Sequence, residues 1–174
     1  LLTDQITALV SDQLIAIATS RIAALRTSQV VALTTAHYAS LTGAQLGSLT
    51  TDQIVSVQTG DLRALSSLQI QALTVDGVDA LRTEQLVALS SAQVSALKTA
   101  QLASIDEGDV AVMLVSQLQA LATQQIRALG TAQFVALGQS QLSQLSTTQV
   151  ASVLAIQLRE LGTDQTRSLT SAQY

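Results

Sequence analysis

Residues 2–49 fall into six blocks of eight: LTDQITAL, VSDQLIAI, ATSRIAAL, RTSQVVAL, TTAHYASL and TGAQLGSL. The same block runs on to residue 174 without an insertion or deletion. The column from Leu1 to Leu169 has 22 members, all aliphatic or Met. Seventeen are Leu, and Ile17, Val57, Ile105, Met113 and Val153 are the rest. A second column holds 17 glutamines: Gln5, Gln13, Gln29, Gln45, Gln53, Gln69, Gln85, Gln93, Gln101, Gln117, Gln125, Gln133, Gln141, Gln149, Gln157, Gln165 and Gln173. Its exceptions are Arg21, His37, Asp61, Gly77 and Asp109. The next position, Ile6 to Tyr174, is apolar everywhere except Thr166. Ser or Thr dominates the column from Thr3 to Ser171, and Ala or Ser that from Ala8 to Ser168. A period kept this strictly means that each octad does the same geometric job. The chain 1–174 reads as one continuous solenoid of about 22 repeats with no capping repeats.

The spacing predicts one very short helix per octad, about six residues long. On a helix, Gln5, Ile6, Ala8 and Leu9 share one face, and Asp4 and Thr7 fall on the other. Two frames fit. In one, Thr3 is the N-cap, and the residue after the conserved Leu is a C-terminal feature. Gly130, Gly138 and Gly162 would be left-handed there, and Arg26, Arg82 and Lys98 would face the negative helix end. In the other, shifted by one, Thr34, Thr42, Thr50, Ser66 and Ser90 precede the column residue by three, as in a capping box. The Leu and the residue after Gln then make a hydrophobic staple. A six-residue helix does not persist alone and must stack its apolar face on neighbours. The fold class is therefore all-α, a helical solenoid. A β-solenoid is the alternative, but a strand would have to switch faces within each octad. No 16-residue super-period is visible, so the number of octads per coil stays open. Two per coil would give about 11 coils and a rod on the order of 100 Å. Aliphatic walls of this kind leave little room for rings, in keeping with an aromatic content of 2%.

Seventeen amides on the core side require partners, because an unsatisfied buried amide is costly. The structural reading is a ladder in which each Gln bonds the backbone of an adjoining coil or a neighbouring Gln. A ligand-lining row would call for variable neighbours tuned to a ligand, and none is seen.

Composition narrows the function. Net charge is −4 with eight scattered Lys and Arg, which disfavours a nucleic-acid groove. The absence of Cys excludes disulfides and thiolate metal sites. The longest apolar run, Val110 to Val115, is far too short for a membrane span. His37 reads as a drifted column position. Asp106-Glu107-Gly108-Asp109 could hold a hard cation weakly, but it lacks the ligand spacing of a calcium loop and reads as a degenerate octad with an altered cap. Leu114, Leu154 and Ile156 are expected to be exposed. No catalytic residue, cofactor or metal ligand is assigned, and the chain is read as a non-enzyme.

The unit L-T-x-x-Q-[VIL]-x-A-L, present as LTTDQIVSV (49–57), LSSAQVSAL (89–97) and LGTAQFVAL (129–137), resembles octapeptide arrays of very large bacterial surface or secreted proteins. The resemblance covers the whole chain and implies a bacterial, extracellular or cell-surface, non-enzymatic segment. A spacer, stalk or filament-forming repeat is the expected role, with end-to-end self-association or continuation of the same array. An adhesin-type scaffold that binds proteins or peptides is the alternative. A chain that opens on Leu-Leu-Thr is read as a piece of something longer.

Overall fold

Twenty-one helices of four to six residues follow one another through the described residues, 2–173, of the computed structural model. No strand occurs among those residues, which rules out the β-solenoid. Leu1 and Tyr174, the first member of the Leu column and the last of the post-Gln column, lie outside them. The helices group in threes. The first two coils are α1 (Thr3–Thr7), α2 (Ser11–Ile15) and α3 (Thr19–Ala23), then α4 (Thr27–Val31), α5 (Thr35–Ser40) and α6 (Gly43–Leu46). Next come α7 (Thr51–Ser56), α8 (Thr59–Ala64) and α9 (Ser67–Gln71), then α10 (Val75–Asp79), α11 (Thr83–Ala88) and α12 (Ser91–Ser95). They are followed by α13 (Thr99–Ser104), α14 (Glu107–Ala111) and α15 (Val115–Gln119), then α16 (Thr123–Ala128), α17 (Thr131–Val135) and α18 (Gln139–Ser143). The last coil holds α19 (Thr147–Ala151), α20 (Ala155–Arg159) and α21 (Thr163–Ser168).

Each helix packs on the one three places later: α1 on α4, α5 on α8, α10 on α13, α18 on α21. From Thr3 to Thr27, the starts of α1 and α4, is 24 residues, so a coil is three octads. The 174 residues then make about seven coils, not 11. At 8–10 Å between packed helices, the rod is roughly 60–70 Å long. The cross-section has three sides. One face is formed by α1 and every third helix after it, the second by the series from α2, and the third by the series from α3.

Local backbone chemistry explains the corner. The Leu and the residue after it are both extended: Leu41 has φ −57°, ψ 137° and Thr42 φ −71°, ψ 156°. Two extended residues turn the chain, and the second becomes the N-cap of the next helix. The shifted frame is thus the one adopted, and Thr3 is the first helical residue rather than a cap. Thr34, Thr42, Thr50, Ser66 and Ser90 accept the backbone N–H of the residue three on. The left-handed reading of Gly130, Gly138 and Gly162 fails for the same reason. They are N-caps with φ of −63°, −73° and −68°, and no described residue has positive φ. Arg26, Arg82 and Lys98 likewise begin helices rather than end them. At its C-terminus each helix tightens into an i→i−3 bond, as from Leu33 N to Val30 O at 3.2 Å, which satisfies a carbonyl the α-helix leaves open.

The Leu and post-Gln columns form one continuous apolar core along the rod. Burial is complete in the middle coils and partial for Leu9, Ile17 and Leu25 in the first coil and Val153, Leu161 and Leu169 in the last. The expectation that the wall excludes rings needs correction. Tyr38 and Phe134 occupy the post-Gln column and are each 1% exposed. Among the glycines Gly47 lies closest to a neighbouring coil: a Cβ there would be 2.8 Å from the Ala72 carbonyl oxygen.

Candidate functional site

The glutamine column lies at the corners, at the third residue of each helix, and each amide works at both ends. Its Oε1 accepts the backbone N–H of its own N-cap residue, at 2.6–3.1 Å, for all 17 glutamines. From Gln45 onward its Nε2 donates to the coil before. The acceptor is the carbonyl of the Leu-column residue 28 positions earlier, as from Gln45 to Ile17 (2.9 Å), Gln93 to Leu65 (2.8 Å) and Gln173 to Leu145 (2.8 Å). Most also reach the carbonyl 31 positions earlier, as Gln53 does to Ile22 at 3.0 Å. One planar amide therefore caps the start of a helix and ties off the carbonyl end of a helix one coil back. Geometry favours Gln here because an amide carries an acceptor and two donors on one rigid plane. The partners are backbone groups, not neighbouring glutamines. Gln5 and Gln13 belong to the first coil and are exposed.

The exceptions show what the position demands. His37 reproduces both functions: Nδ1 accepts from Thr34 N at 3.1 Å, and Nε2 donates to Leu9 O, 28 residues back, at 2.8 Å. Both ring nitrogens are thus engaged by backbone. Asp61 and Asp109 carry no donor. Each instead accepts the hydroxyl of the first residue of the helix beneath, from Thr35 at 2.7 Å and from Thr83 at 2.6 Å. The sequence gives no hint of this pairing, since the partners are 26 residues apart and the octad period does not reveal the coil length. Gly77 has no side chain to offer, and only the Thr74 hydroxyl engages its N–H, at 2.9 Å. Arg21 stands exposed in the first coil.

Tyr38 supplies a donor that Asp61 cannot. Its hydroxyl gives a 3.0 Å bond to the Val30 carbonyl, the acceptor a glutamine at 61 would use at the 31-residue spacing. Burial raises the Tyr38 hydroxyl well above the ordinary tyrosine range, and the nearby Asp61 carboxylate adds to that. No buried side-chain nitrogen or oxygen among the described residues lacks a partner.

Asp106 is the N-cap of α14, its Oδ1 accepting from Gly108 N at 2.8 Å, and Asp109 is taken by Thr83. The acidic run is therefore an altered cap, and no cluster of three potential ligands occurs among the described residues. Leu114, Leu154 and Ile156 are exposed, at 47%, 37% and 59%. No described helix is long and apolar enough to cross a membrane.

Residues 22–59, 54–91 and 78–107 match the ALTTAQ repeat, three overlapping stretches that together cover a little under half of the chain. No curated protein matches it. The match supports a repeat array, and it includes three departures from the glutamine column, His37, Asp61 and Gly77.

Proposed function

We propose that this chain is a non-enzymatic structural segment: a spacer, stalk or filament-building rod of a bacterial surface or extracellular protein. The observation that carries the reading is the uniform inter-coil bridge. Fourteen glutamines make the same bond to the carbonyl 28 residues back. A bond repeated at 14 corners, on all three sides of the rod, ties each coil to the one before and resists bending, which is what a spacer needs. The polar side chains best suited to chemistry, His37, Asp61 and Tyr38, are spent on backbone and hydroxyl partners. The apolar surface of the last coil, lined by Val150, Val153, Leu158, Leu161 and Leu169, fits another coil of the same kind. That coil could come from the same array or from a second copy stacked end to end.

Small-angle scattering tests the reading. A rod profile with constant cross-section is expected, its length growing when copies of the array are fused in phase. A compact particle, or a fused array that flexes between copies, overturns it.

A further inference from the structure

In the 24-residue register the charges sort by face. Of the 20 charged residues, seven lie on the first face, ten on the second and three on the third. Those three, Arg21, Asp164 and Arg167, belong to the first and last coils. Between them α6, α9, α12, α15 and α18 stack in unbroken order. Their octads, residues 42–49, 66–73, 90–97, 114–121 and 138–145, contain no Asp, Glu, Lys, Arg or His. This patch is visible only once the coil length is known, because consecutive octads in the sequence alternate among the three faces.

We propose that the third face docks a second copy of the chain, side by side and antiparallel, about a two-fold axis running along α12. Three arguments identify that occupant. The first is charge. Each copy carries a net charge of −4, with Asp52 and Asp76 on the first face and Glu84 and Glu107 on the second. Contact through either would desolvate charges or set like signs together, and interface cores are depleted of charge. Only the third face lets identical molecules meet without that penalty. The second is symmetry. A two-fold axis places the same patch on both copies, and α12 is the middle of the five uncharged helices. About an axis along α12, α9 of one copy faces α15 of the other. That sets Leu68, 78% exposed near the start of α9, opposite Leu114, 47% exposed at the N-cap of α15. The two most exposed large aliphatics of the patch thereby cover each other. The third is area. Five helices 8–10 Å apart, each side about 14 Å wide, give roughly 600–700 Å² per copy and about 1,200–1,400 Å² in all, within the range of specific interfaces. The proposal does not depend on whether the rod serves as a spacer.

Sedimentation velocity over a concentration series, together with thermal melts by circular dichroism, tests it. The wild-type chain is expected to be a dimer. The variant Ala92→Glu/Ser116→Glu adds two acids to the third face at the second helical position, where Asp4 and Glu84 already stand. It is expected to keep its melt and weaken the dimer at least about a hundredfold, as like charges brought together at an interface do. Ala100→Glu/Ala132→Glu, at the same position on the first and second faces, should leave the dimer intact. A wild-type monomer at millimolar concentration overturns the proposal, as does a dimer indifferent to the first variant or equally weakened by the second. If the first variant loses its fold, Ala92→Cys decides. The chain has no native cysteine, and this thiol, beside the axis, should form an intermolecular disulfide under mild oxidation. Failure to cross-link, or cross-linking no better than Ala132→Cys, overturns the proposal.

Discussion

The Tyr38 hydroxyl donates to the Val30 carbonyl from within the core, at 3.0 Å, and stands in for the amide that Asp61 lacks. Gln93 serves the corresponding carbonyl, that of Leu62, 31 residues before it. At 61 the column residue is acidic and cannot donate, so a ring one coil down does the work. The two departures from the repeat, at 38 and 61, are thus complementary: the ring supplies the Val30 carbonyl with the donor that the carboxylate lacks.

Tyr38→Phe is expected to destabilise the chain by about 1–3 kcal/mol, because it leaves the Val30 carbonyl without its side-chain donor inside the core. Tyr38→Phe/Asp61→Gln should recover most of that loss, since a glutamine at 61 can reach both Val30 and Leu33. Urea denaturation of the four members of the cycle measures the coupling. Additive losses would show that Tyr38 and Asp61 act independently.

The same hydroxyl predicts a response to alkali. In the folded chain its proton is held above the ordinary value of 10.0, first by burial and then by Asp61. Below pH 10 that contribution to stability is complete. Above it the unfolded chain releases the proton while the folded chain retains it, so stability falls as pH rises, by up to about 1.4 kcal/mol per unit. Wild type should lose stability between pH 10 and 11 more steeply than Tyr38→Phe. Parallel profiles would refute the assignment.

Much of this is legible in the sequence itself. The octad, the short helix, the two buried columns and the need of the glutamines for partners all follow from periodicity and the cost of burying an amide. The frame was ambiguous because Ser and Thr occupy two successive positions in octads such as Thr34-Thr35, and either hydroxyl can cap. The coil length was hidden for a deeper reason. It is set by the turn that two extended residues make at each corner, and almost any residue adopts that backbone: Leu2, Arg26, Thr42 and Gly130 all serve. With the coil length hidden, the Thr35–Asp61 and Thr83–Asp109 pairs and the uncharged third face could not be seen.

Gly77→Gln should stabilise the chain by about 1 kcal/mol, combining a restored bridge with the lower entropy of an unfolded chain that has one glycine fewer. The side chain would accept from Thr74 N and donate to Leu49 O, as Gln45 does for Thr42 and Ile17. A new Cβ would meet the Thr74 hydroxyl at 3.0 Å, a contact the Thr42–Gln45 and Thr50–Gln53 corners already accommodate. A lower denaturation midpoint in the variant would show that Gly77 is required for space.

Gly47→Ala should act in the opposite sense. The added methyl would sit 2.8 Å from the Ala72 carbonyl oxygen, a backbone atom that cannot rotate away. Parting α6 from α9 to admit it is expected to cost about 1–3 kcal/mol. Gly60→Ala is the control, since nothing lies within 4 Å of a Cβ there. Equal melting temperatures for the two variants would sink the claim of a tight approach.

The glutamine bridge itself predicts a gradient along the rod. Gln93→Leu strips the Ser90 N–H and the Leu65 carbonyl of their side-chain partner and leaves the Leu62 carbonyl with the Leu65 N–H alone. A loss of about 2–4 kcal/mol follows from removing three side-chain bonds at one inter-coil corner, the one to the Leu65 carbonyl in the core. Gln13→Leu removes only the cap to Val10 N in an exposed first coil, and should cost about 1 kcal/mol or less. Because a solenoid's stability is a sum over neighbouring repeats, the damage should also be local. Hydrogen exchange is expected to quicken in the corners next to residue 93 before it quickens at either end. Exchange that speeds uniformly along the chain, or equal losses in the two variants, would show that the column does not hold the coils together one junction at a time.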